Sequence, residues 1–99
     1  MSRADWEAAE RLLRRAVEIN PSYVQAHHWL SLVLRGTGRQ QEELEHAERA
    51  VQLDPLSAIA NLNFGDTLHV MGRYDESVAR YRRAIDIDPL SSQAYYSLA

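Results

Sequence analysis

"RRAIDIDPLS", residues 82–91, has two upstream counterparts: "ERAVQLDPLS" at 48–57 and "RRAVEINPS" at 14–22. Pro21, Pro55 and Pro89 stand 34 residues apart, as do Ala16, Ala50 and Ala84, and Arg15, Arg49 and Arg83. Setting 24–57 against 58–91 adds Ala26/Ala60, Leu34/Leu68, Gly38/Gly72 and Glu42/Glu76 in the same register. Small, apolar and bend-forming types repeating at one offset mark an internal repeat, and repeats of this length build stacked arrays.

The pattern inside each period is helical. In 58–71, Ala60, Leu62, Phe64, Gly65, Leu68 and Val70 fall at helical spacing. Gly72 is expected to end that helix, because glycine tolerates the left-handed conformation found there. In 74–87, Tyr74, Val78, Tyr81, Ala84 and Ile85 make a second apolar stripe. Asp88-Pro89 ends it, since proline cannot continue a helix and disfavours helical geometry in the residue before it. Proline also suits the first turn of the following helix. Ala16, Ala50 and Ala84 read as points of close helix approach, with Ser31 and Gly65 making the same allowance. Glu7–Arg11, Glu10–Arg14, Glu45–Arg49 and Glu76–Arg80 are spaced as outward-facing pairs, worth about 0.3 kcal/mol each. They mark solvated faces.

This 34-residue pattern resembles the tetratricopeptide repeat, a helix–turn–helix unit. That family places an aromatic, Leu-Gly and Tyr in its first helix, then Ala, an aromatic and Pro in and after the second. The 58–91 copy reads Asn61, Phe64-Gly65, Leu68, Ser77, Tyr81, Ala84, Pro89; the 24–57 copy reads His27, Leu30-Ser31, Leu34, Glu43, Ala47, Ala50, Pro55. The resemblance covers the whole chain. It implies an all-α solenoid of antiparallel helix pairs with a right-handed superhelix: about five helices plus a short terminal one.

Counted from the prolines, residues 1–23 hold the second helix of a truncated repeat, with Trp6, Ala9, Leu13 and Ala16 in its packing positions. Residues 24–57 and 58–91 are complete repeats, and 92–99 begin a further one through Tyr95 and Leu98. The expectation is one domain, cut from a larger protein. Uncapped solenoid ends around Trp6, Leu13, Tyr95 and Leu98 would then favour weak self-association. Two departures weaken the first complete repeat. Glu43 stands where the family has a small alanine facing Ser31, so its carboxylate must swing outward or lose solvation, and Glu43→Ala is expected to stabilise. "RGTGRQQEE" (35–43) lacks the aromatic that Tyr74 supplies in the next repeat.

The resemblance also implies a concave groove lined by first helices, in which ligands are usually peptide segments. Its positions here are Gln25, His28, Trp29, Leu32, Arg35 and Gly36, then Ile59, Leu62, Asn63, Asp66, His69 and Val70, then Gln93, Tyr96 and Ser97. One class of these domains grips a peptide carboxylate through lysines, an arginine and asparagines. The corresponding positions are His28, Leu32, Asn63, Gln93 and Ser97, and only Asn63 matches, so that mode is not expected. An aromatic and aliphatic groove suits an amphipathic helix or an extended peptide with apolar anchors, Trp29 and Tyr96 first among them.

Composition narrows the alternatives. The 99 residues, 45% hydrophobic and 25% charged, suffice for one modest core. Net charge is −3, which does not favour nucleic acid. No apolar run is long enough for a membrane span. There is no cysteine, which fits a reducing compartment such as the cytoplasm. All 11 cationic side chains are arginine, which fits GC-rich bacterial codon usage. His27 and His28 are adjacent and point about 100° apart on a helix. His46 and His69 have no histidine at helical ligand spacing, and Asp66 and His69 alone make one edge, so neither metal nor cofactor is expected. Ser31, Ser57, Ser77 and Ser97 fall at packing, turn or surface positions, and "RGTGRQ" lacks the lysine and spacing of a phosphate loop. The resulting expectation is a non-catalytic scaffold for a protein or peptide partner. Its competitor is a structural spacer or self-association module.

Overall fold

The computed structural model describes residues 2–90 and folds them into five helices: α1 (Arg3–Ile19), α2 (Val24–Gly36), α3 (Gln40–Leu53), α4 (Ala58–Val70) and α5 (Tyr74–Ile87). Each packs against the next, and α2 also touches α4. Among the described residues there is no strand. Helix α1 precedes two helix pairs, α2–α3 and α4–α5, whose corresponding members start 34 residues apart. The terminal turn expected at 92–99, with Gln93, Tyr95, Tyr96, Ser97 and Leu98, lies outside the described residues.

The helix ends follow local chemistry. Ser2 and Asp5 form a reciprocal capping box at the start of α1, and the Ser57 hydroxyl accepts from the Ala60 N–H at 3.1 Å on α4. After α2 and α4 the chain turns through Gly38 (φ 76°) and Gly72 (φ 79°). There the N–H groups of Arg39 and Arg73 reach back to the carbonyls of Leu34 (3.1 Å) and Leu68 (2.9 Å), satisfying orphaned helix acceptors. Helices α1, α3 and α5 end on Asn20, Asp54 and Asp88, each just before a proline.

Among the described residues, an apolar cluster joins α3 to α4: Leu44, Ala47, Ala50 and Val51 against Ala60, Phe64 and Leu68, with Val24 and Met71 at its edge. Leu30 and Leu34 of α2 are fully enclosed, a burial worth about 1.5–3 kcal/mol for each leucine. Helix spacing follows paired sizes. A Cβ on Gly65 would sit 2.7 Å from the Tyr81 ring, so a glycine faces a large side chain in the second pair. At the same offset in the first pair, Ser31 and Ala47 are both buried, small against small.

Position 27/61, where the family has an aromatic, carries a polar side chain in both pairs. His27 Nε2 lies 2.8 Å from the Pro21 carbonyl, and Asn61 Nδ2 donates to the Pro55 carbonyl at 3.2 Å. Each ties the N-terminal half of its helix to the preceding turn. Of the four ion pairs expected on outward faces, Glu10–Arg14 forms at 2.8 Å. Glu7 pairs with Arg3, and Glu76 with Arg73. Arg14 also reaches Glu42 on α3 at 2.6 Å, and Arg39 binds Glu10, linking α1 to the first full pair.

Candidate functional site

Helices α2 and α4 lie side by side as the first helices of successive pairs, and the expected groove positions distribute over several surroundings. Gln25, His28 and Trp29 of α2 and Ile59 of α4 line one cleft, with Val24, Ala60, Asp54 and Ser57 closing it. Trp29 is 55% exposed and Ile59 67% exposed, large apolar groups held open to solvent by rigid helices. Their exposure follows from register: Leu30 and Ala60, the adjacent core residues, are buried.

Other groove positions lie elsewhere. Leu32 and Trp29 share an apolar cleft with Trp6, Ala9, Leu12 and Leu13 of α1 and with Val33. Trp29 therefore borders two surfaces. Gly36 lies against Trp6: a Cβ there would come within 2.9 Å of the indole. Leu62 and Asp66 are half-buried, and His69 and Val70 are exposed. The His69 ring meets the Tyr74 ring edge-on at 5.1 Å. Asp66 accepts from the Tyr81 hydroxyl at 2.6 Å, and burial followed by this bond pushes the phenol up to about 12.

The centre of the surface is closed by a polar network that was not expected. Glu43 is 1% exposed, and its carboxylate accepts from Arg35 Nε at 2.7 Å and from the Thr67 hydroxyl at 2.9 Å. Arg35 also donates to Asn63 Oδ1 at 3.0 Å, and Asn63 Nδ2 donates to Ser31 Oγ at 2.9 Å. The Ser31 hydroxyl donates to the His28 carbonyl at 2.6 Å. Of the two outcomes expected for Glu43, the outward swing does not occur: the carboxylate loses its solvation but is paired, which removes the ground for expecting Glu43→Ala to stabilise. Arg35, one turn beyond Ser31, reaches back across the helix interface and neutralises the carboxylate, so burial and pairing occur together. Arg35 Nε and Nη2 and the Asn63 amide are thus committed within the protein.

His28 is half-buried beside this network, and its Nδ1 has no protein partner. Burial first, and Arg35 second, lower its pKa and favour the neutral ring in the cleft. Sequence spacing also missed a contact between α2 and α3: His27 Nδ1 and His46 Nδ1 lie 3.0 Å apart. The two are 19 residues apart in sequence, beyond any single-helix spacing. Aligning the repeats could have flagged them, because both positions differ from their counterparts Asn61 and Arg80. Among the described residues no three side chains of ligand type converge on one point.

Comparison with known proteins adds the family. A profile described as tetratricopeptide repeat matches residues 1–58, and one described as TPR repeat matches residues 65–99. The chain belongs to the tetratricopeptide repeat family. No curated protein matches its sequence. Among solved structures, YrrB, titled a TPR protein with an unusual peptide-binding site, is 27% identical with a TM-score of 0.87 over 94% of this chain and 48% of its own. A Thermobaculum terrenum O-GlcNAc transferase mutant is 29% identical with a TM-score of 0.89, over 95% of this chain and 18% of its own. An Arabidopsis OM64 TPR domain, 19% identical with a TM-score of 0.88 over 96% of this chain and 78% of its own, shares the fold. The chain spans about half the length of the first relative and less than a fifth of the second. Tetratricopeptide repeats are in general protein-interaction modules, typically without catalysis of their own. Among the described residues no helix is long and apolar enough to cross a membrane.

Proposed function

We propose that this chain is a non-catalytic scaffold that holds a peptide or partner helix against the α2/α4 face. The observation that carries the reading is the pairing of Trp29 and Ile59, both more than half exposed, across a cleft edged by Gln25, His28 and Asp54. Large apolar groups fixed in an open cleft and rimmed by polar groups have the composition of an interaction hot spot. The internal Arg35–Glu43–Asn63 network stiffens the floor, so little ordering is left for binding to oppose. Gln25, His28, Trp29 and Ile59 are the contacts this reading favours, with Leu32, Leu62, Asp66 and His69 at the margins and Tyr96 as a further anchor. Arg35 and Asn63 shape the floor. The reading treats 1–23, 24–57, 58–91 and 92–99 as a half repeat, two full repeats and the start of another, working in a cytoplasmic, bacterial setting.

A peptide library displayed against the protein provides the test. Selected sequences should carry an apolar anchor and lose at least about tenfold in affinity against Trp29→Ala, the range for a central aromatic contact. Equal binding to Trp29→Ala, or loss instead with Tyr74→Ala on α5, would refute it. A second reading, self-association or spacing of neighbouring domains, draws on the apolar α1/α2 cleft, where Leu12 is 70% exposed. Concentration-dependent sedimentation abolished by Leu12→Glu would support it; a monomer at all concentrations would remove it.

A further inference from the structure

The α2/α4 face is short of positive charge. Of the 11 arginines only Arg35 lies on either helix, and Glu43 neutralises it at 2.7 Å. Helix α4 contributes one carboxylate, Asp66, which accepts from the Tyr81 hydroxyl at 2.6 Å. A neutral phenol does not cancel that charge. His28, on the wall of the cleft, is held toward its neutral form by burial first and Arg35 second, so it adds no opposing charge.

A further carboxylate comes from the turn before α4. Asn20, Asp54 and Asp88 hold one register of the repeat, each just before a proline. Asn20 Oδ1 accepts from the Ser22 N–H and Asp88 Oδ1 from the Leu90 N–H, both at 3.2 Å. Those two side chains close their own turns. Asp54 makes no such bond: its exposed side chain lines the cleft with Trp29 and Ile59 instead. Among the described residues no cation pairs with it. A carboxylate without a counter-ion thus stands at the edge of an apolar cleft whose one nearby cation is already matched.

We propose that the cleft between Trp29 and Ile59 seats an arginine side chain of the bound peptide, with Asp54 as its counter-ion. The inference deepens the α2/α4 reading and rests on it. The cleft measures about 440 Å³, within the range of about 300–1,000 Å³ for ligand sites. One side chain satisfies both halves of it. The methylene stem covers the apolar groups while the charged head stays at the wet rim. A guanidinium can also give two parallel bonds to a carboxylate and stack on an indole face; a lysine ammonium is a point charge with neither geometry. An acidic segment would meet like charge from Asp54 and Asp66. The partner is therefore a peptide that carries an arginine beside its apolar anchor.

Asparagine already serves at this register in Asn20, so Asp54→Asn is the test variant. A random peptide library is selected on the wild-type protein, and the winners are synthesised for calorimetric titration. They should carry an arginine next to the apolar anchor. Citrulline in its place removes the charge, keeps the shape and leaves the protein unaltered. It should weaken binding about fivefold, the upper range for an exposed ion pair. Asp54→Asn should weaken the arginine peptide by the same factor and cost the citrulline peptide nothing further. Glu45→Gln, an equal change of charge at an exposed position of α3 outside the cleft lining, should shift affinity by less than about twofold. Equal affinity of wild type and Asp54→Asn for the arginine peptide would overturn the proposal. So would winners rich in aspartate or glutamate, or a dimer in sedimentation that Asp54→Asn abolishes, which would put a second copy in the cleft. Trp29→Ala separates the two levels. Loss there with Asp54→Asn unaffected keeps the cleft as the binding face and removes its arginine seat; a library with no winners, or binding insensitive to both variants, refutes both.

Discussion

Replacing Glu43 by alanine tests the buried network at its most connected member. The substitution removes the acceptor of a 2.7 Å bond from Arg35 and a 2.9 Å bond from Thr67, and it leaves the guanidinium next to an emptied site. Breaking a fully buried pair costs about 3–5 kcal/mol. Here the Arg35 side chain remains 29% exposed and keeps its Asn63 contact, while the Thr67 hydroxyl can turn to the Asn63 carbonyl at 3.1 Å. The cost therefore falls to about 2–3 kcal/mol, in the range for a charged hydrogen bond plus an unsatisfied donor. For a chain of this size that lowers Tm by about 8–24 °C. Urea unfolding followed by circular dichroism would measure it. Glu43→Ala/Arg35→Met should recover part of the loss, because no charge is then stranded. A Glu43→Ala protein as stable as wild type, or more stable, would refute the account and restore the reading that alanine belongs there.

Three further outcomes follow from the same structure. Gly65→Ala should destabilise by about 1–2 kcal/mol despite alanine's better helix propensity, because its Cβ meets the Tyr81 ring at 2.7 Å; Tyr81→Leu should relieve this in a double-mutant cycle. Gly72→Ala should cost about 1–2 kcal/mol in chemical denaturation, since its φ of 79° is unfavourable for any side chain. Tyr81 ionises near 12 when folded and near 10 when unfolded, so the stability its neutral phenol contributes is intact below pH 10 and lost as pH rises toward 12. Absorbance titration should show a late tyrosine step that is absent in Tyr81→Phe.

The fold was legible because repeats bury their core between like units, so Pro21, Pro55 and Pro89 and the alanines between them carry the same message three times. Gly38 and Gly72 announced their left-handed turns for the same reason. The site was less legible where partners come from different helices. Trp29 and Ile59 were assigned to a face through the family resemblance, which carries groove positions over one by one. Glu43 could not: whether a buried carboxylate is satisfied depends on Arg35 and Thr67, eight and 24 residues away on neighbouring helices. The His27–His46 contact was hidden likewise, since a search for ligands three or four residues apart sees only one helix. Outward ion pairs were legible only in part, because long exposed side chains choose among several near-equal partners, as Glu7 does in pairing with Arg3.

Amide chemical-shift mapping with a selected peptide reaches the central claim most directly. The account predicts that the perturbed residues gather around Trp29 and His28 on α2 and Ile59 on α4, with the Trp29 indole N–H among the largest shifts. Perturbation centred on the outer faces of α3 and α5, with the α2/α4 cleft unchanged, would contradict it.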